Sequence, residues 1–349
     1  MANPIVEASG FLFIGDPHLA SIAPGRRTDA DFAATVCDKL AQAFAMAEAE
    51  NLQPVILGDL FHRETDTEAH MLTLLFNTLR PLSRRPWCLV GNHDLQEAQL
   101  TSKTALSAVA ATGLLLLIEE GAFQLVDCGG VLVGLGGTPY GRPVPQTVAG
   151  LFETPPDQVI WITHTDIRFK QNYPGALEPF EITGCDLIIN GHMHLEQPSW
   201  QAGSTLWVNP GNITRVSVDA LEHIPGVLRW TPFGGLKRIP LVALPGEDVF
   251  DLRGRLTTEP AVWATGTDAL PPSHFVEQLK VLAANHNSQA GTSRLAEDLI
   301  HVAREEKVSD AALDLLLSLL PEADLTELPA LEQAVSTEET EALSNEVLV

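Results

Sequence analysis

Five short segments rich in metal-binding side chains each follow an apolar run: Asp16-Pro17-His18, Gly58-Asp59-Leu60-Phe61-His62, Gly91-Asn92-His93-Asp94, Thr163-His164-Thr165 and Gly191-His192-Met193-His194. The preceding runs are Phe11-Leu12-Phe13-Ile14, Val55-Ile56-Leu57, Trp87-Cys88-Leu89-Val90, Val159-Ile160-Trp161-Ile162 and Leu187-Ile188-Ile189. They are short, β-branched or aromatic, and closed by glycine or polar residues, the pattern of strands buried on both faces. In open α/β sheets, ligands gather at the carboxyl ends of strands. Five such ends can therefore share one sheet edge, and the expected fold is α/β.

Each segment alone has an ordinary explanation. Gly-Asn-His-Asp favours a turn, Asp16-Pro17 can initiate one, and most His-x-His pairs on strands are solvated. Their conjunction is what carries weight, because together they complete one kind of site. Hydrolysing a phosphate ester requires an activated water, neutralised non-bridging oxygens and a stabilised leaving oxygen. Two divalent ions roughly 3.5–4 Å apart supply all three. Asp16, His18, Asp59, Asn92, His164, His192 and His194 have the mixed oxygen and nitrogen donors that such a pair takes. Asp59 is the expected bridge, since a carboxylate has two oxygens and a charge that offsets metal–metal repulsion. His93 is surplus as a ligand. It is expected to face the substrate as general acid or hydrogen-bond donor, with Asp94 fixing its tautomer. His62, three residues after Asp59, is expected to reach a phosphodiester and orient it for in-line attack.

The ordered set resembles the calcineurin-like metallophosphoesterase superfamily over roughly residues 10–215. The resemblance implies a four-layer α/β/β/α sandwich. It also implies that Asp16, His18 and His194 complete one metal, while Asn92, His164 and His192 complete the other. Within the superfamily, His62 is similar to the second active-site histidine of SbcD-like nuclease subunits of double-strand-break repair complexes. Asn209-Pro210-Gly211-Asn212-Ile213-Thr214-Arg215-Val216-Ser217, with Pro225-Gly226-Val227, resembles the segment that closes the phosphoesterase domain there. The likeness implies a DNA substrate, Mn²⁺ as the metal, an SMC-like (SbcC-like) ATPase partner and a homodimer. Fe²⁺ and Zn²⁺ suit the same donors. The chain departs from the nuclease pattern in lacking a proline after Asp94, in a short capping region and in carrying Met193.

Charge argues the other way. Lys+Arg number 21 against 45 Asp+Glu, a formal net charge of −24, whereas a protein that binds duplex DNA by itself presents a basic surface. Part of the excess belongs to the end of the chain, where every charged residue after Lys307 is acidic. Either a partner supplies DNA affinity or the host cytoplasm is salty. Arg26, Arg27, Arg63, Arg84, Arg85, Lys103, Arg168, Lys170 and Arg215 are candidates for a phosphate track. Two other functions stay open: a phosphodiesterase or phosphatase acting on small substrates such as cyclic nucleotides, and a non-catalytic scaffold. Intact donors and His93 argue against the scaffold.

The catalytic domain is expected at 1–225, a small β-rich capping region at 226–265, a helical region at 266–320 and an acidic, disordered tail at 321–349. Thr257 to Ser273, with Pro260, Pro271 and Pro272, reads as a linker. Apolar residues at helical spacing predict helices between Phe275 and Leu320. Crossover helices are expected from Thr28-Asp29-Ala30-Asp31 to Glu50 and from Thr67 to Leu79, and a hairpin from Phe123 to Gly137. Cys37, Cys88, Cys128 and Cys185 have no C-x-x-C spacing and read as small buried residues of a reducing compartment. With no signal-peptide pattern and no apolar run near the roughly 18 residues a bilayer needs, the expected location is cytoplasmic, without a membrane partner.

Overall fold

The computed structural model describes residues 4–169 and 176–252. Contacts divide the chain into Met1–Leu256 and Thr257–Val349, and every described residue belongs to the first unit. The linker, the helices and the acidic tail expected beyond residue 256 lie outside the described residues.

In chain order, β1 (Val6–Glu7) and β2 (Gly10–Ile14) lead into α1 (Phe32–Ala49). Then come β3 (Leu52–Ile56), α2 (Ala69–Leu79), β4 (Trp87–Cys88), α3 (Ala105–Ala111) and β5 (Leu116–Leu117). The second half holds β6 (Gly121–Asp127), β7 (Leu132–Thr138), β8 (Gln158–Thr163), β9 (Leu187–Asn190), β10 (Gln197–Ala202), β11 (Thr205–Asn209), β12 (Gly226–Thr231) and β13 (Gly235–Pro240). They form a seven-stranded sheet in the order β1-β6-β7-β8-β9-β11-β10 and a six-stranded sheet in the order β13-β12-β2-β3-β4-β5. Both are mixed: β2, β3, β4 and β5 run parallel, as do β7, β8, β9 and β11, with antiparallel hairpins added. This is the expected α/β sandwich.

Side-chain alternation decides which residues join which layer. Phe11, Phe13, Val55 and Leu57 point between the sheets, where they meet Val133, Leu135, Ile160, Ile162, Leu187 and Ile189. Leu12, Ile14 and Ile56 point the other way, onto Val36, Leu40 and Phe44 of α1 and Leu75 and Leu79 of α2. The outer face of the first sheet presents Trp161, Ile188 and Trp207. Among the described residues, that face is covered by irregular segments carrying Val148, Phe152, Ile167 and Ile182 rather than by a helix.

Both crossover helices are present. The Asp31 carboxylate accepts from the Ala34 amide, capping α1 where the sequence places its start. The Glu68 side chain does the same for α2 through the Met71 amide. One boundary needs correction. Residues 226–240, expected to begin a separate capping region, are a hairpin within the second sheet, β12 lying antiparallel to β2 with Leu228 opposite Phe13. Val227 and Leu228 are buried on opposite faces, which an isolated two-stranded cap could not achieve.

Candidate metal centre

The polar segments leave the carboxyl ends of β2, β3, β4, β8 and β9, so parallel pairing delivers them to one edge. Backbone pairing continues past the strands. The His18 amide donates to the Asp59 carbonyl (2.9 Å), that of Leu19 to Leu60 (2.8 Å) and that of His62 to Leu19 (2.9 Å). The turns are tight enough that Asp16, His18, Asp59 and His192 adopt positive φ, between 29° and 68°. Non-glycine residues take that conformation at a cost, and it concentrates at functional sites. Gly91 is required for a different reason: a Cβ there would lie 2.1 Å from Asp59 Oδ1.

Hydrogen bonds fix where each lone pair points. His164 Nδ1 lies 2.8 Å from the Leu57 carbonyl, which can only accept, so Nδ1 carries the proton and Nε2 is left as a donor to a cation. His192 Nε2 sits 3.0 Å from Asp166 Oδ1, which leaves Nδ1 bare by the same logic. These two bare nitrogens are 3.3 Å apart, with Asn92 Oδ1 2.9 Å from one and 3.1 Å from the other. Asp59 Oδ2 is 3.2 Å from His164 Nε2. Four electron-pair donors thus converge once His164 Nε2 is free of its proton.

A second convergence shares Asp59. Its Oδ2 is 3.7 Å from His18 Nε2, and the His18 and His194 Nε2 atoms approach to 2.8 Å. Asp59 Oδ1 is held by the His93 amide at 2.8 Å, while Oδ2 has no hydrogen-bond partner. Oδ2 lies between both groups and is the oxygen that would supply the expected bridge. Asp16 is buried beside His164, its Oδ1 3.7 Å from His164 Nδ1 and both its oxygens without a hydrogen-bond partner, and it belongs to neither group of converging donor atoms.

Electrostatics point the same way. Burial, with the Asp59 charge adding to it, pushes Asp16 up to about 7, although the His164 charge and the backbone at His192 and Asp16 pull the other way. Burial opposes ionisation of Asp59 too, but His164 and His18 overcome it and hold that carboxylate below its usual range. His164 is driven up to about 9: burial resists its charge, and Asp59 and Asp16 outweigh burial. Burial lowers His18 and His192 and takes His194 down to about 4, keeping them neutral as ligands must be. Divalent cations fit this donor set, since they would pair the converging lone pairs and supply the charge that the buried carboxylates lack.

Around the donors stands a cleft of about 350 Å³ lined by Asn92, His93, Asp166, His194, Gln197 and Asp219, among others. The His62 and His93 rings stack at 5.4 Å, and His18 meets each edge-on, at 5.4 and 4.9 Å. His93 departs from expectation in one respect. Its Nδ1 donates to the His62 carbonyl at 2.8 Å, not to Asp94. The Asp94 carboxylate faces inward, accepting from the Gly91 (3.0 Å) and Phe61 (3.3 Å) amides, and so ties the Asn92 turn to the Asp59 turn. Burial, reinforced by Asp59, raises Asp94 to about 7. Sequence reading missed Asp166 and Tyr140, whose ring lies 5.6 Å from that of His192. For Asp166 the only available signal was a carboxylate two residues beyond His164.

A family model for calcineurin-like phosphoesterases matches residues 10–196, which span all five segments. The chain belongs to that family. Its chemistry is metal-dependent phosphoester hydrolysis, and the clustered His and Asp side chains are the candidate metal ligands. No curated protein matches the sequence. Among solved structures, TT1561 of Thermus thermophilus is similar with 10% identity and a TM-score of 0.40, covering 66% of this chain and 97% of that one. A 5'-nucleotidase precursor from the same organism shares 14% identity at a TM-score of 0.41, over 69% of this chain and 55% of that one. A hypothetical protein of that organism shares 10% at 0.41, over 66% and 99%. Among the described residues no helix is long and apolar enough to cross a membrane.

The candidate phosphate track is dispersed. Arg27 and Arg215 are buried and bonded within the protein. Arg84 bonds Asn51, at the opposite end of β3 from the cluster, and Arg168 pairs with Glu178. Lys170 lies outside the described residues. Arg63, next to His62 in the chain, is the exposed cation nearest in sequence to the site.

Proposed function

We propose that this phosphoesterase is a DNA nuclease of the SbcD-like type. It uses two Mn²⁺ ions in the cytoplasm and works with an SMC-like ATPase that supplies DNA affinity, with homodimerisation as in the resembling proteins. The observation carrying the proposal is His62: its ring stacks on His93 and meets His18, so an imidazole beyond the seven-donor set stands beside the candidate ligands. When bound, the ions activate a water and neutralise the phosphate oxygens. Asp59 Oδ2 would serve both, with Asp16, His18 and His194 holding one ion and Asn92, His164 and His192 the other, as the resemblance implies. His93, its Nδ1–H anchored on the His62 carbonyl, can present Nε2 to the leaving oxygen as general acid. The His62 side chain is free to hold the phosphodiester in line.

Because the His62 carbonyl survives substitution, His62→Ala removes one ring and leaves His93 anchored. On linear duplex DNA its rate is expected to fall about 100-fold, the scale of a small misplacement of the reacting group. Hydrolysis of a small aryl phosphodiester should change little. Equal losses on both substrates would remove the reason to read this site as a nuclease.

A second reading, hydrolysis of a small diester such as a cyclic nucleotide, is favoured by the acidic wall that Asp166 and Asp219 give the cleft and by the net charge of −24. Rates on linear duplex DNA and on cyclic nucleotides, with Mn²⁺ added, separate the two.

A further inference from the structure

We propose that Asp166 is a positioning residue for the Asn92–His164–His192 half of the metal centre, acting through His192. The inference rests on the metal-dependent reading above and adds to it a residue outside the seven donors. An imidazole binds a cation through one nitrogen only if its proton sits on the other, and the partner of that proton sets the ring's orientation and basicity. His164 obtains this from a main-chain carbonyl, that of Leu57. The partner of His192 Nε2 is instead a side chain, Asp166, at 3.0 Å.

The rest of the geometry makes that contact purposeful. The Asp166 segment is held without its carboxylate: Thr165 N donates to Asn190 Oδ1 (3.2 Å), Asn190 Nδ2 to the Thr165 carbonyl (3.0 Å) and Leu177 N to the Asp166 carbonyl (2.9 Å). Asn190 itself is fully buried. The carboxylate is thus spare to the local fold and is aimed at the ring. On the other side, the Tyr140 ring lies 5.6 Å from His192 at 35°. Tyr140 confines the plane of the ring, and Asp166 selects which nitrogen faces Asn92 Oδ1 at 2.9 Å.

The test is calorimetric titration of the metal-free full-length chain with Mn²⁺, for wild type, Asp166→Ala and Asp166→Asn. Asp166→Ala is expected to weaken one ion about 10- to 100-fold, the usual effect of losing such an outer partner, and to leave the other unchanged. In Asp166→Asn the side-chain oxygen can still accept from Nε2–H, so most of the affinity should return. Unchanged affinity for both ions in Asp166→Ala overturns this proposal alone, as does equal weakening of both. Failure of the wild type to take up two ions overturns the metal-dependent reading and this proposal with it.

Discussion

Two groups of buried charge sit in the described unit, and they are built on opposite plans. Around Asp59, the oxygens of Asp16, Oδ2 of Asp59 and Nδ1 of His18 are buried with no hydrogen-bond partner in the chain. Around Arg27, partners abound. Its guanidinium grips both oxygens of Asp29 (2.7 and 2.8 Å), donates to the Arg215 carbonyl (3.1 Å) and lies near the Phe32 and Phe250 rings. Arg215 in turn donates to the carbonyls of His223 (2.6 Å) and Leu244 (2.8 Å). The second group holds the chain to itself, fastening the segment after β13 to the start of α1. The first is held in place by the chain yet is left with donor atoms that the chain does not satisfy. Buried charge alone therefore does not mark a functional site; buried charge whose own chain leaves it unsatisfied does.

The contrast can be broken by substitutions in each group, the largest effect coming from the shared oxygen. Asp59→Asn is expected to lower phosphodiester hydrolysis on the order of 10⁴-fold, since it weakens the hold on both ions, each worth several kcal/mol to the transition state. Its unfolding midpoint in the metal-free state should fall only modestly, because the attraction of His164 and His18 for the carboxylate is lost together with the cost of burying it. A large loss of metal-free stability would mean that Asp59 is structural after all. Asp29→Ala should do the reverse. By leaving Arg27 buried without its counter-charge it costs about 3–5 kcal/mol in denaturant unfolding, with metal affinity unchanged. His93→Ala should reduce turnover roughly 10²- to 10³-fold, as loss of a general acid does, while Mn²⁺ titration still counts two ions. Weakened metal binding would instead make it a ligand.

Lys39 sharpens the comparison most finely. It is buried on α1 next to Arg27, and burial followed by Arg27 brings it from 10.5 down to about 8. Folding therefore releases a proton between those values. The penalty on stability is complete below about 8, shrinks as pH rises and is gone above 10.5. Lys39→Met should raise stability at pH 7 by about 3 kcal/mol, the free energy that corresponds to so depressed an ammonium. It should also flatten the rise in stability that wild type shows between pH 8 and 10.5 in urea titrations. Parallel curves for the two proteins would show that Lys39 is hydrated in the native state.

The strands were legible because burial on both faces writes itself as short, continuous apolar runs. Gly10–Ile14 and Gln158–Thr163 appear within a residue or two of their sequence limits. The donors were legible because each sits directly after such a run. Asp94 was misjudged because proximity in sequence to His93 says nothing about which way a carboxylate turns within a three-residue helical turn. Arg27 and Arg215 read as a surface track because their carbonyl partners lie up to 188 residues away.

By itself, then, the sequence determined the architecture and the roll of candidate donors, since both depend on local periodicity and on side-chain type. The tertiary structure alone decided the direction of every lone pair. Leu57, 107 residues before His164, tells that ring which nitrogen to bare, and His18 meets a histidine 176 residues further on. Such choices are made by partners through space, where a hydrogen-bond acceptor either stands within reach or does not.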